Sequence, residues 1–183
     1  MTTTTSPEHT RTGERADLLS TLAQHRFFLR NTTLGLTDEQ VGLRTTVSEL
    51  CLGGLVKHVA LGELKWVDFI LEGPSAMASG GKDWADWDES DYAEYSAAFQ
   101  MQPGETLAGV LEEYERVARR TAEVVASLPD LDVSHPLPRA PWFEPGASWS
   151  ARRALLHIVA ETAQHAGHAD IIREALDGAK SMG

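Results

Sequence analysis

The chain has 183 residues, 42% hydrophobic and 23% charged, a composition that suits one globular domain with a substantial core rather than two. Asp and Glu outnumber Lys and Arg by 27 to 16, and the resulting formal charge of −11 repels nucleic-acid phosphates and anionic bilayers. No apolar run approaches the roughly 20 residues of a membrane span, and the first residues have neither a basic nor an apolar leader region, so a soluble, cytoplasmic protein is expected. Residues 1–11 are rich in Thr and Ser without apolar periodicity and read as a disordered leader to a domain over residues 12–180. From about Glu14 to Leu34, the apolar positions Leu18, Leu19, Leu22, Phe27, Phe28 and Leu29 recur at helical spacing and predict a first helix. Thr37, followed by Asp38 and Glu39, has helix-entry chemistry, which predicts a connector with a short helical turn. Ser48 precedes a pattern of Leu55, Val59, Trp66, Phe69 and Ile70 that Gly73-Pro74 stops, predicting helix two.

Residues 74–89 read as a loop, docked through Trp84 and Trp87, with a short helix over Asp91 to Phe99 after it. Beyond Pro103-Gly104 the stripe Leu107, Val110, Leu111, Tyr114, Val117, Val124 and Val125 predicts helix three, ending near Leu128-Pro129. Pro129, Pro136, Pro138, Pro141 and Pro145 exclude sustained regular structure in the next segment. Ser148 or Ser150 then caps a final helix running to Gly178, ~45 Å long. Strand alternation is absent from the sequence. The expected architecture is an all-α four-helix bundle with long interhelical loops.

Cys51 is the only cysteine, so intramolecular disulfides and multi-thiolate zinc sites are excluded, and any metal must be held by nitrogen and oxygen. On the last helix, Glu161 and His165 are four residues apart and share one face, close enough to bind one cation. His157 lies eight residues from His165, ~12 Å along the axis, so these two cannot ligate the same ion. His168 competes with Glu161 for the second position but falls on the opposite flank of His165. A third ligand must come from another helix, and His58 sits in the apolar stripe of helix two, one turn from Gly54 and from Gly62. Two histidines and a carboxylate leave coordination positions free for water or substrate. The plainer readings are a hydrogen-bonded core histidine at position 58 and a helix-supporting surface pair at positions 161 and 165. His9, His25 and His135 default to structural or surface roles. Trp142, Phe143 and Trp149 either line a pocket mouth or plug the bundle end. Cys-x-x-Cys, His-Glu-x-x-His, Gly-rich phosphate-loop and nucleophile-elbow motifs are all absent from the sequence.

The string Leu55-Val56-Lys57-His58-Val59-Ala60 with Glu63-Leu64-Lys65-Trp66 after it, and the run from Leu156 through His157, Glu161, His165, His168, Asp170 and Arg173 to Glu174, resemble the DinB-like superfamily. More narrowly, they are similar to its actinobacterial branch, which includes mycothiol-dependent maleylpyruvate isomerase and mycothiol or bacillithiol S-transferases. The likeness runs from helix one to Gly178. It implies an up-up-down-down four-helix bundle with a divalent metal between helices two and four. The ligand set it implies is His58, Glu161 and His165, the histidine, glutamate, histidine version found in the isomerase-like branch. Zinc is the expected metal, with nickel, iron and manganese as alternatives, and mycothiol the expected co-substrate. Some isomerase members carry a further C-terminal domain that this sequence does not show, which counts against carrying over that reaction unchanged. Together, site and resemblance imply activation of a low-molecular-weight thiol for S-transfer to, or isomerisation of, a small electrophile. Arg173, Arg153 and Trp142 are candidates for holding substrate, and His157 and His168 for supporting the ligands. The alternatives are a non-catalytic, metal-stabilised bundle that binds a small ligand or a partner protein, and a metal-dependent hydrolase. Pairing of two copies through helix faces is a further expectation.

Overall fold

The computed structural model describes residues 13–78 and 82–181, so the predicted leader lies outside the described residues. The helices are α1 (Glu14–Asn31), α2 (Asp38–Val41), α3 (Leu52–Glu72), α4 (Glu89–Ala97), α5 (Leu107–Ser127) and α6 (Ala151–Asp177), with 3₁₀ turns at Gly73–Met77 and Trp84–Asp86. Local chemistry sets the ends. Thr37 and Gln40 close a reciprocal capping box on α2, as the Thr37 signal predicts. Thr106 caps α5, and Ser150, one of the two serines expected, caps α6 by accepting from the Arg153 amide at 3.2 Å. Gly178, in the left-handed region with φ 80°, ends α6.

Three elements differ from expectation. Helix α3 begins at Leu52, because the Ser48 hydroxyl accepts from the Leu50 amide at 3.2 Å and turns the chain before the helix instead of capping it. Helix α4 begins two residues early, since Asp88 caps it and Asp91 reciprocates. The proline-rich segment also contributes a strand: β1 (Ser134–Pro136) pairs antiparallel with β2 (Ser148–Ser150), His135 opposite Trp149. Three residues are too few for an alternating pattern to be visible in sequence. Among the described residues no helix is long and apolar enough to cross a membrane.

The four long helices form the expected bundle, with a different order of directions. Glu14 pairs with Arg152, and Arg173 donates to the Thr32 carbonyl at 2.8 Å, so α1 and α6 run parallel. Arg15 donates to the Val125 and Leu128 carbonyls while Arg30 pairs with Glu115, so α5 runs against α1. Lys57 pairs with Glu105 and Asp68 with Arg120, which makes α3 parallel to α5. The chain therefore runs up-down-down-up, in place of the up-up-down-down order implied by the resemblance. Only the connection that carries α4 crosses the length of the bundle, so one crossover suffices where the expected order needs two. Amphipathic patterns specify which face of a helix is buried and say nothing of its direction, which is why the sequence leaves this open.

The buried hydrophobic side chains fall into two clusters. One gathers Leu22, Trp66, Phe69, Ile70, Val125, Leu155 and Ile158, and the other Leu29, Leu52, Leu55, Val59, Tyr114, Ala169 and Ile172. Every long helix adds a polar residue to the interior: nearly buried Arg26 from α1, Glu63 from α3, Thr121 from α5 and Thr162 from α6. Glu63 is completely covered, accepts from Arg26 Nε at 3.0 Å and through its other oxygen from Arg26 and Thr121. Removing one partner strands the other charge in the core. Arg26→Met should therefore cost about 3–5 kcal/mol in urea denaturation, with much of the loss recovered in Arg26→Met/Glu63→Met. A double variant no more stable than the single one would show the layer to be held by other means.

Candidate metal centre

His58 on α3 faces His165 on α6 with ring centroids 5.0 Å apart, and Glu161 stands one turn from His165 with its carboxylate 3.6 Å from His165 Nε2. The donor atoms of His58, Glu161 and His165 all lie within 4.8 Å of one another. The Glu161–His165 spacing arises from the helical repeat, and the antiparallel crossing of α3 and α6 brings His58 to the same height. All three residues line a cavity of about 740 Å³ between α3, α6, α4 and the loops that carry Trp84 and Trp142.

The protonation states suit cation binding. Burial, reinforced by the neighbouring His165, lowers the His58 pKa from its ordinary 6.5 to about 4, so the ring is neutral at physiological pH. Hydrogen bonding to His165 holds the Glu161 carboxyl below its usual range, outweighing the opposing effect of burial. A neutral His58 and an ionised Glu161 can thus receive a divalent cation without first losing protons. His165 Nδ1 turns away from the cluster and lies 3.5 Å from His168 Nδ1, where one nitrogen must donate and the other accept. His157 sits outside the cluster, edge-on to Trp66 and Trp149 at 4.8 and 5.2 Å, with Nε2 4.0 Å from Glu161.

A feature absent from the sequence reading covers His58. The Phe99 ring stacks on the imidazole at 3.8 Å with an interplanar angle of 21°. Gly54 permits this: a Cβ there would stand 1.8 Å from the Phe99 carbonyl oxygen, so the missing side chain lets the backbone of Phe99 and Gln100 pack against α3. Gly62, by contrast, faces open space in the cavity. Trp84 and Trp87 do dock their loop, stacking on each other at 4.2 Å and meeting Tyr95 and Trp142 edge-on.

The structure brings together His58, Glu161 and His165 and places His157 and Trp142 in the cavity wall. Two expected substrate contacts stand elsewhere. Arg173 donates to the Thr32 and Leu34 carbonyls and pairs with Asp177, fastening α6 to the end of α1. Arg153 lies over the Trp149 ring at 5.0 Å and is not part of the cavity lining. Lys65 and Tyr95 line the cavity, and the sequence reading passed over both. The Lys65 signal was available, since it falls seven residues after His58 on the same helical face. Tyr95 had no comparable signal, because its place depends on how α4 packs against the bundle.

The family model described as mycothiol-S-transferase matches residues 17–178. The chain belongs to this family. Membership agrees with the DinB-like resemblance in the sequence. No curated protein matches the chain. Two solved structures share the fold. A conserved protein from Enterococcus faecalis superposes with a TM-score of 0.66 at 12% identity, covering 92% of this chain and all of its own. YfiT from Bacillus subtilis, described as a probable metal-dependent hydrolase with an unusual four-helix bundle topology, gives 0.60 at 14% identity, covering 92% of this chain and 91% of its own.

The low His58 pKa makes the metal-free protein acid-sensitive. Between pH 6.5 and about 4 the unfolded chain takes up a proton at His58 that the folded chain refuses, so stability present above pH 6.5 is lost as the pH falls through that window. Chemical denaturation at pH 7 and 4.5 should show a smaller loss in His58→Gln than in the wild-type chain, and an equal loss would remove His58 as the cause. Gly54→Ala should push Phe99 off His58, lower stability by about 1–3 kcal/mol and raise the His58 pKa toward 6.5 in an NMR titration. An unshifted His58 pKa in that variant would mean that Phe99 does not cover the ring.

Proposed function

We propose that the protein is a divalent-metal-dependent thiol S-transferase in which His58, Glu161 and His165 hold the cation, zinc being the expected one. The observation that carries this reading is the convergence of those three donors on the wall of an aromatic cavity, with His58 neutral and Glu161 ionised. Family membership supports the thiol, and mycothiol is the expected donor. A divalent cation in this site supplies a Lewis-acid position at which a thiol loses its proton near neutral pH.

The chain's own groups do the rest. Glu161 would offset one unit of the cation's charge, and His58, neutral at physiological pH, would offset none. Phe99 fixes the His58 ring plane, and Trp66, Tyr95 and Trp142 give the cavity apolar walls that strengthen electrostatic interactions by limiting water. The reaction is a displacement or addition at carbon. The thiol gives up its proton, a sulfur–carbon bond forms, and in a displacement the leaving group departs with its electron pair. The sulfur must come from outside, because Cys51 is buried with its thiol directed to the Phe99 carbonyl at 3.8 Å.

Purified protein should contain one divalent metal per chain and conjugate monochlorobimane in a mycothiol-dependent manner. His58→Ala should lose the metal and more than about a hundredfold of the activity. Stoichiometric metal retained in that variant would refute the ligand assignment. Thiol-independent turnover would make the centre hydrolytic, the description carried by YfiT.

A further inference from the structure

The cavity has a second end. Lys65 follows His58 by seven residues on α3, two helical turns and about 10 Å along the axis, at nearly the same angular position, and both residues line the cavity. The Lys65 ammonium stands 5.8 Å from the centroid of the Trp84 ring. Neighbouring cations are committed elsewhere: Arg26 to Glu63, Lys82 to Asp88 and Asp91, Arg139 to Asp83 and Asp86. Among the described residues Lys65 forms no ion pair. Exposed Glu94 acts on it only at longer range, and burial lowers its pKa. A half-buried ammonium without a counter-ion is costly to maintain, yet here it stands beside Trp84 in a cavity that Trp66, Trp87, Tyr95 and Trp142 also line.

This combination suits a flat body bearing an anion. Aromatic walls favour planar, polarisable groups, and a partly desolvated ammonium favours a carboxylate or sulfonate. Of the acidic side chains in the cavity wall, Glu63 is paired with Arg26 and Asp91 with Lys82, Glu161 belongs to the proposed cation site, and exposed Glu94 is the one left to compete with a bound anion for Lys65. The sulfur supplies the negative charge at the His58 end, so an anion at Lys65 belongs to the electrophile. We infer that Lys65 is the specificity-determining residue for a planar electrophile whose anionic group it holds, about 10 Å from the reacting end at His58, Glu161 and His165. The inference rests on the thiol-transfer reading for the identity of the reacting end, whereas the anion subsite is testable without turnover.

The test uses two unreactive probes, 1-naphthoate and 1-naphthamide, titrated into the full chain and followed by quenching of tryptophan fluorescence. In the wild-type protein naphthoate should bind about tenfold more tightly than naphthamide, the worth of one charge-assisted contact. Lys65→Met should bring the two within about twofold at an unchanged melting temperature, and Lys65→Arg should keep the preference. Given a turnover assay, Lys65→Met should raise KM about tenfold for a carboxylate-bearing electrophile and leave kcat unaltered. Equal binding of the two probes, binding of neither, or an intact preference in Lys65→Met would each overturn the inference. The wild-type comparison alone decides if the variant fails to fold. A naphthoate preference without any thiol transfer would sustain the subsite and refute the reaction instead.

Discussion

The bundle depends on the covered Glu63 carboxylate and the groups that satisfy it. An ionised side chain with no solvent contact holds its place only if its partners are fixed, and here Arg26 and Thr121 reach it from two other helices. That requirement sets the heights of α1, α3 and α5 relative to one another. The apolar clusters supply the bulk of the burial, but apolar contacts alone tolerate sliding by a turn, whereas a buried ion pair does not. Because Glu63 lies just over one turn beyond His58, the same interaction fixes how far along the bundle His58 stands, and hence that it meets His165.

The His58, Glu161 and His165 cluster shares a cavity with Glu63 and Thr162 of this polar layer. The cavity wall carries His58, His157 and His165, the carboxyl groups of Glu63, Asp91, Glu94 and Glu161, and a single ammonium, that of Lys65. Burial keeps His58 neutral, and the Glu161–His165 contact keeps the carboxylate ionised. The residues that hold the donors in place are themselves unremarkable in sequence. Gly54 lets the backbone after α4 approach, and Phe99 covers one face of the imidazole, so the crossover segment both closes the bundle topology and shapes the site.

Much of this was legible beforehand, for identifiable reasons. The stripe on α5 and the Ser150-to-Gly178 helix are long and regular, and helical periodicity reports such segments well. Glu161 and His165 were readable as a pair because a four-residue spacing fixes their relation without knowledge of the fold, and the sequence motifs around them led to the family that the chain belongs to. What escaped depends on contacts distant in sequence. The up-down-down-up order is expressed in pairs such as Arg15 with the end of α5, and amphipathicity carries no such information. Arg173 looked available for a substrate and instead holds the carbonyls that end α1, a demand invisible until both helix ends are placed. Phe99 came to His58 through a glycine whose purpose shows only when its missing Cβ is tested against its neighbour.

Thiol transfer in this cavity requires the sulfur to reach a cation held by His58, Glu161 and His165. Replacing the native metal with cobalt(II) tests this directly, because the ligand-field spectrum reports the donor set and a sulfur-to-cobalt charge-transfer band reports thiolate. A low-coordinate spectrum is expected in the resting protein, with a new near-ultraviolet band on addition of mycothiol. A spectrum that stays that of hydrated cobalt, or one that mycothiol leaves unchanged, would contradict that requirement.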